Sequence, residues 1–270
     1  FIVLFPPMMF ENLYGAKPGT AFNPGLTIFA IVFLFAFIAA SVPIVHRIEK
    51  RPETRGAMIQ AMYRSNFVLM GLPIALNICG RGNVSTTAVL VAVIVPIYNI
   101  IAVIILEYYR GGHADISKMF SKIIMNPIIL GALAAAVAIV LDIRVPKSVD
   151  NVIYTMSECT TPMAMIMLGA SFNIKSINTD RRNLSIVTIT KLLIQPAIGL
   201  SLAVLFGFRG VEFVSLIVMM SAPCAVSSFT MAKSMGSDGD LAGNAVIFTT
   251  GFSILTIFGW LFLFKNMGIF

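Results

Sequence analysis

Five stretches of this sequence run for about a membrane's thickness without one charged side chain: Leu26–Val45, Val84–Leu106, Ile123–Leu141, Phe213–Met231 and Ala242–Phe264. A sixth, Leu184–Phe208, carries only Lys191. A helix that crosses a bilayer needs about 20 mostly apolar residues. Runs this long and this numerous do not fit inside one soluble core. Composition says the same: 58% of the 270 residues are hydrophobic and only 11% are charged, against about 25% charged in soluble domains. A soluble enzyme and a nucleic-acid binder are thereby excluded as readings. Three weaker stretches complete the set. Gly56–Ile78 contains Arg64, Asn66, Gly71 and Pro73, and Val152–Phe172 contains Glu158 and Pro162. The third is the opening run, which ends Pro6-Pro7-Met8-Met9-Phe10-Glu11. The sequence therefore predicts an all-α membrane protein with nine spans, the first cut short.

The net charge of +7 reads as an orientation signal, since Lys and Arg stay on the cytoplasmic side. One set of loops holds Arg47, Lys50, Arg51, Arg55, Arg110, Lys118, Lys122, Lys175, Arg181, Arg182, Lys191 and Lys233. The other holds Lys17, Arg81, Arg144, Lys147, Arg209 and Lys265, half as many. The bias places the 46–56 loop inside and the C-terminus outside. Arg64, within a span, completes the nineteen. Cys79, Cys159 and Cys224 lack metal-ligand spacing, and no cofactor is expected.

The order of features repeats. Pro7 with Met8-Met9 is echoed by Pro162 with Met163-Ala164-Met165, and Gly71-Leu72-Pro73 by Ser221-Ala222-Pro223. Asn77 and Ser227 each follow four residues after their proline. The second half holds five spans and the first shows four, so one helix is expected ahead of Phe1. An odd number of spans per repeat inverts the second repeat. The predicted layout is a first repeat at 1–109, a short cytoplasmic loop at 110–122 and a second repeat at 123–270. Inverted repeats with broken helices in matching places are a transporter signature. Proline removes an N–H and crowds the preceding turn. Freed backbone is tolerated at membrane depth only within protein or beside a wet cavity. Half-helix N-termini carry roughly +0.5 of a charge each and bind anions.

The motifs resemble those of the auxin efflux carrier family, which includes bacterial malate and malonate carriers and the plant PIN-FORMED proteins. Asn66-Phe-Val-Leu-Met-Gly71-Leu-Pro73 is similar to its first crossover, and Ser221-Ala-Pro-Cys-Ala-Val-Ser-Ser-Phe229 to its second. Phe5–Phe10, Asn126–Gly131 and Thr161–Phe172 resemble its second, sixth and seventh helices, in order. Ser227 stands where the family often has asparagine. The resemblance implies ten helices in two inverted repeats of five, like sodium/proton antiporters and bile-acid symporters, with the fourth and ninth crossing near Pro73 and Pro223. It also implies carriage of small organic anions such as malate, malonate or auxin-like acids, no prosthetic group, and a homodimer. The short 110–122 loop favours a prokaryotic carrier in the cytoplasmic membrane.

Candidate substrate contacts are Arg64, Asn66, Gly71, Pro73, Asn77, Pro223, Ser227 and Ser228. A cation within a span is costly and commonly functional, and a guanidinium matches a carboxylate in a planar fork; the bland alternative for Arg64 is snorkelling to the interface. Glu158 is a candidate buried carboxylate for proton coupling. Glu107 and Glu212, at span ends, read as solvated. Asp238 and Asp240 read as loop and N-cap residues before a helix starting near Leu241. A sodium- or proton-coupled relative, an intramembrane enzyme and a channel are the competing classes. Neither crossover motif contains Asp or Glu, against cation exchange. Glu158 has no histidine near it in sequence, against hydrolysis.

Overall fold

The computed structural model describes residues 2–14, 23–80, 85–110, 121, 123–171 and 180–270. Apart from Arg110 and Ser121, the expected loop at 110–122 lies outside them, as do Lys17, Arg81 and Lys175. The chain is an all-α membrane protein, and the nine expected spans resolve into eleven helices among the described residues because two are broken. The helices are α1 (Phe5–Tyr14), α2 (Pro24–Ile48), α3 (Pro52–Tyr63), α4 (Phe67–Cys79), α5 (Ser85–Tyr109) and α6 (Pro127–Val140). There follow α7 (Lys147–Ser171), α8 (Arg181–Leu205), α9 (Gly210–Ser221), α10 (Val226–Ser234) and α11 (Gly239–Asn266). Helices α2, α5, α8 and α11 are long and apolar enough to cross a membrane unbroken.

Starts are set locally. Asn23, Asn126 and Asp238 accept from Leu26, Ile128 and Leu241 N–H groups, and Pro24 and Pro127 open their helices. A short polar acceptor followed by proline suits a helix start, where the first N–H groups lack partners. Pro7 and Pro162 lie within α1 and α7 without interrupting them, contrary to the sequence reading. Pro7 sits in a first turn, where its missing N–H costs nothing.

Helices α2 and α8 each have 25 residues, and α3 and α9 each have 12. Each of these pairs is followed by a short break, a second short helix and a long unbroken one. The breaks meet: Ser65 and Cys224 form an antiparallel bridge, and the Asn66 N–H donates to the Pro223 carbonyl at 2.7 Å. The crossover therefore lies at residues 64–66 and 222–225, not at Pro73. Pro73 stands one residue after a widened turn, Phe67–Gly71. Pro196 stands in the same relation to the widened turn Thr190–Ile194. In both, the residue before the proline bonds five residues back, Leu72 to Phe67 and Gln195 to Thr190. The extra residue in the turn relieves the clash that proline makes in a regular helix.

Two apolar clusters organise the molecule. The larger centres on α2–α5 and α8–α11 and includes Phe33, Tyr63, Phe67, Phe213 and Met220. The smaller joins Phe5 and Met9 of α1 to Ile128 and Ala132 of α6, and packs on Ala102, Leu106 and Met231. Helix α1 rests closely on α6: a Cβ at Gly131 would fall 2.4 Å from the Pro6 carbonyl oxygen. Only a glycine admits that approach. Thr160 of α7 donates to the Leu4 carbonyl at 3.1 Å.

Candidate functional site

Each break frees backbone groups that water cannot reach, and the crossover supplies most of their partners. Beyond the Asn66–Pro223 bond, the Cys224 N–H donates to the Thr249 hydroxyl at 3.0 Å and its thiol to the Ala61 carbonyl at 3.0 Å. The Gln60 amide donates to the Ser228 carbonyl at 2.9 Å. The new helices α4 and α10 begin just beyond, and both beginnings open on one cavity of about 420 Å³. Phe67, Val68 and Leu69 of α4 line it, with Ala225 and Ser227 at the start of α10. Tyr98 and Asn99 of α5 form another wall, and Met8, Asn12, Ser157, Glu158 and Thr161 of α1 and α7 close the far side. The cavity thus sits on the seam between the two apolar clusters.

Arg64 ends α3 in extended conformation and is 3% exposed. It does not snorkel. Its guanidinium donates to the Ser227 hydroxyl at 2.8 Å, to the Asn99 carbonyl oxygen and to the Met231 sulfur at 2.7 Å. All three partners are neutral. Among the described residues the ion pairs are Arg51–Glu49, Arg51–Asp180 and Arg110–Glu107, so no carboxylate balances Arg64. Asn66 is buried, and among the described residues its amide has no hydrogen-bond partner while it faces the cavity.

Arg64, Asn66, Ser227 and Glu158 are thus brought together around one space. The other expected contacts are not. Pro73 and Asn77 are exposed, and the Asn77 amide folds back on the Pro73 carbonyl. Gly71 packs beneath the Phe67 ring. Pro223 is spent in the crossover bond, and Ser228 is buried behind the cavity with its hydroxyl unpartnered. Glu158 reaches the cavity but is exposed, not buried. Its helix turns it towards the opening, so the burial on which coupling was argued is missing. Glu107, expected to be solvated, is buried beside Arg110, and Glu212 accepts from the Asn23 amide at 2.5 Å.

The largest departure from the sequence reading is Lys191. Counted above among the loop cations, it is fully buried at the crossover. The widened turn of α8 carries it. Its ammonium donates to the Ser65 hydroxyl, to the Gln195 amide oxygen at 2.7 Å and to the Met220 carbonyl at 3.4 Å. A polar pair spaced i, i+4 (Lys191 and Gln195) within an apolar run is the signal that marks it.

At the membrane edge, a second polar knot ties the halves together. Arg51 pairs with Asp180 at 2.6 Å, and Glu49 accepts from the Asn183 amide at 2.5 Å. Partial burial would raise the Glu49 carboxyl. Hydrogen bonds from the Arg51 backbone and side chain and from Asn183, with the Arg51 charge, outweigh it and hold the group at about 2. The side-chain bond to Glu49, with Asp180 beside it, outweighs partial burial and pushes Arg51 up.

Comparison with known proteins adds a separate line. The sequence pattern of the family described as membrane transport protein matches residues 1–261. An uncharacterized transporter of Methanocaldococcus jannaschii is 24% identical over 241 residues, 85% of this chain and 76% of the relative. A protein of Rhizobium meliloti, named as a proposed malonate transporter, is 20% identical over 146 residues. That match spans 54% of this chain and 46% of the relative.

Proposed function

This chain belongs to the membrane transport protein family, that of the auxin efflux carriers, and on that premise we propose that it is a secondary carrier of small organic anions. The substrates are carboxylates of the malate, malonate or auxin-like kind, moved by alternating access. One observation carries the reading: a buried guanidinium whose partners among the described residues are all neutral faces a cavity on which two helix N-termini open. Glu158 lines the same cavity but forms no ion pair with Arg64, and a carboxylate is the ligand that completes the arginine and the helix starts. Arg64 supplies charge and fork geometry, Asn66 an amide with no side-chain partner among the described residues, and Ser227 a hydroxyl. The name of the Rhizobium relative supports the same class of cargo.

Residues 26–106 and 184–264 would form the moving body, and α1, α6 and α7 the scaffold. The position of the cavity on the seam between the apolar clusters supports this division. The repeats are 1–109 and 123–270, joined by 110–122, in a prokaryotic cytoplasmic membrane with the C-terminus outside and the protein a homodimer. Uptake of mono- and dicarboxylates into proteoliposomes tests the proposal. Saturable uptake that falls in Arg64→Ala or Asn66→Ala supports it. Unchanged carboxylate transport in both variants removes the site assignment. Ohmic currents in place of saturable uptake would favour a channel, and sodium-driven uptake at fixed pH a coupled symporter.

A further inference from the structure

We propose that the Lys191 ammonium is a tethered cation that occupies the place of a coupling ion, so that the crossover is complete without sodium.

The crossover brings together helix ends of both signs. The starts of α4 and α10 are positive, and the ends of α3 and α9 are negative. In broken-helix carriers, half-helix C-termini and unwound carbonyls are the groups that coordinate a small cation. Here these groups already face an ammonium. Met220 is the penultimate residue of α9, and its carbonyl accepts from Lys191 at 3.4 Å. Tyr63 is the last residue of α3, and its carbonyl accepts from the Gln195 amide at 3.4 Å, while Gln195 turns its oxygen to Lys191. Ser65, in the first break, supplies a hydroxyl. Hydroxyl, amide oxygen and main-chain carbonyl form a hard-oxygen set that suits an alkali ion. The three oxygens match the three N–H bonds of an ammonium. No ion pair among the described residues involves Lys191, so the helix ends are its counter-charge.

The turn that holds Lys191 is built for that place. Pro196 has no N–H for the Leu192 carbonyl, and Trp260 of α11 donates its indole N–H there at 3.0 Å. The widened turn is thereby satisfied in apolar surroundings. The first half lacks the arrangement: α2 and α8 are equal in length, and the residue of α2 that matches Lys191 in position is Leu34, also buried. One tethered cation serves both breaks.

The test uses the purified full chain and does not depend on the transported substrate. Thermal unfolding is followed in choline, sodium, lithium and ethylammonium chlorides at equal ionic strength. Wild type should melt within about 1 °C in all four, and Lys191→Ala about 5 °C lower in choline. Sodium, lithium or ethylammonium should restore at least half of that loss, by filling the vacated oxygen set. Two results overturn the proposal: stabilisation of wild type by sodium over choline, or a Lys191→Ala deficit that no small cation reduces. If that variant does not fold, radioactive sodium binding to wild type decides. Saturable binding overturns the proposal, and its absence supports it.

Discussion

The Arg64 guanidinium donates to the Ser227 hydroxyl across 2.8 Å, joining the end of α3 to the first turn of α10. The contact links the two halves in the lining of the cavity and holds the arginine there. Truncation to alanine removes both charge and contact. Arg64→Ala should lower initial uptake of the best-carried carboxylate about 10–100-fold, the range of a lost charged hydrogen bond. Arg64→Lys should retain an intermediate rate, because it keeps the charge and loses the fork. Equal rates for wild type and Arg64→Ala would remove arginine from the site.

Asn66 and Ser227 should separate by stability. The Asn66 amide has no side-chain partner among the described residues, so Asn66→Ala breaks no internal bond. Its melting temperature should stay within about 2 °C of wild type while apparent affinity weakens about 5–10-fold. Ser227→Ala leaves Arg64 short of an acceptor and should lower both. Paired melting curves and uptake titrations make the comparison.

The seat of α1 on α6 is testable without any substrate. At Gly131 an added Cβ meets the Pro6 backbone, which cannot swing aside as a side chain would. Gly131→Ala should cost about 1–3 kcal/mol, the range for overpacked cores, and Gly131→Leu more. Melting temperature and the monodisperse fraction in size-exclusion chromatography report it. A Gly131→Leu variant as stable as wild type would contradict the close approach.

Acid should loosen the membrane-edge knot. Glu49 is held at about 2 in the folded protein, below the ordinary value of about 4.3. A depressed carboxyl contributes stability that is present above its unfolded value and is lost as pH falls through its folded one. Stability should therefore decline between about pH 4.5 and pH 2, and Glu49→Gln should flatten that decline. Melting curves across the interval, with wild type and variant side by side, measure the difference. The group is partly open to water, so the effect should shrink in high salt.

The spans were legible because uncharged runs of membrane length admit few other folds. Matched features suggested paired halves, and the helix order places a short second helix after α3 and after α9 alike. The second break lies at Pro223, where it was expected, but the first does not lie at Pro73. Proline at 73 drew attention, yet proline is compatible with a helix's first turns, and the chain opens nine residues earlier at Arg64–Asn66. Lys191 was taken as a loop cation because charge normally ends a span. A long stem and a widened turn carry it inward instead, and periodicity cannot foresee a turn with one extra residue. Glu158 failed the other way: its place within a span suggested burial, but it lines the cavity and is exposed. Arg64 was found by its rarity. Its neutral set of partners depends on α5 and α10, remote in sequence, and no local pattern reveals it.

A guanidinium held in the membrane with no carboxylate partner among the described residues is also a handle for the membrane potential. Moving one elementary charge through 100 mV is worth about 2.3 kcal/mol. In a carrier working as proposed, Arg64 gives the empty moving body a standing positive charge, which a bound monocarboxylate cancels. A potential negative inside then draws the empty form towards the cytoplasm and acts one charge less strongly on the loaded form. Lys191 adds its charge to both forms, so the return of the empty site is the more voltage-sensitive step, and polarity biases the direction of turnover.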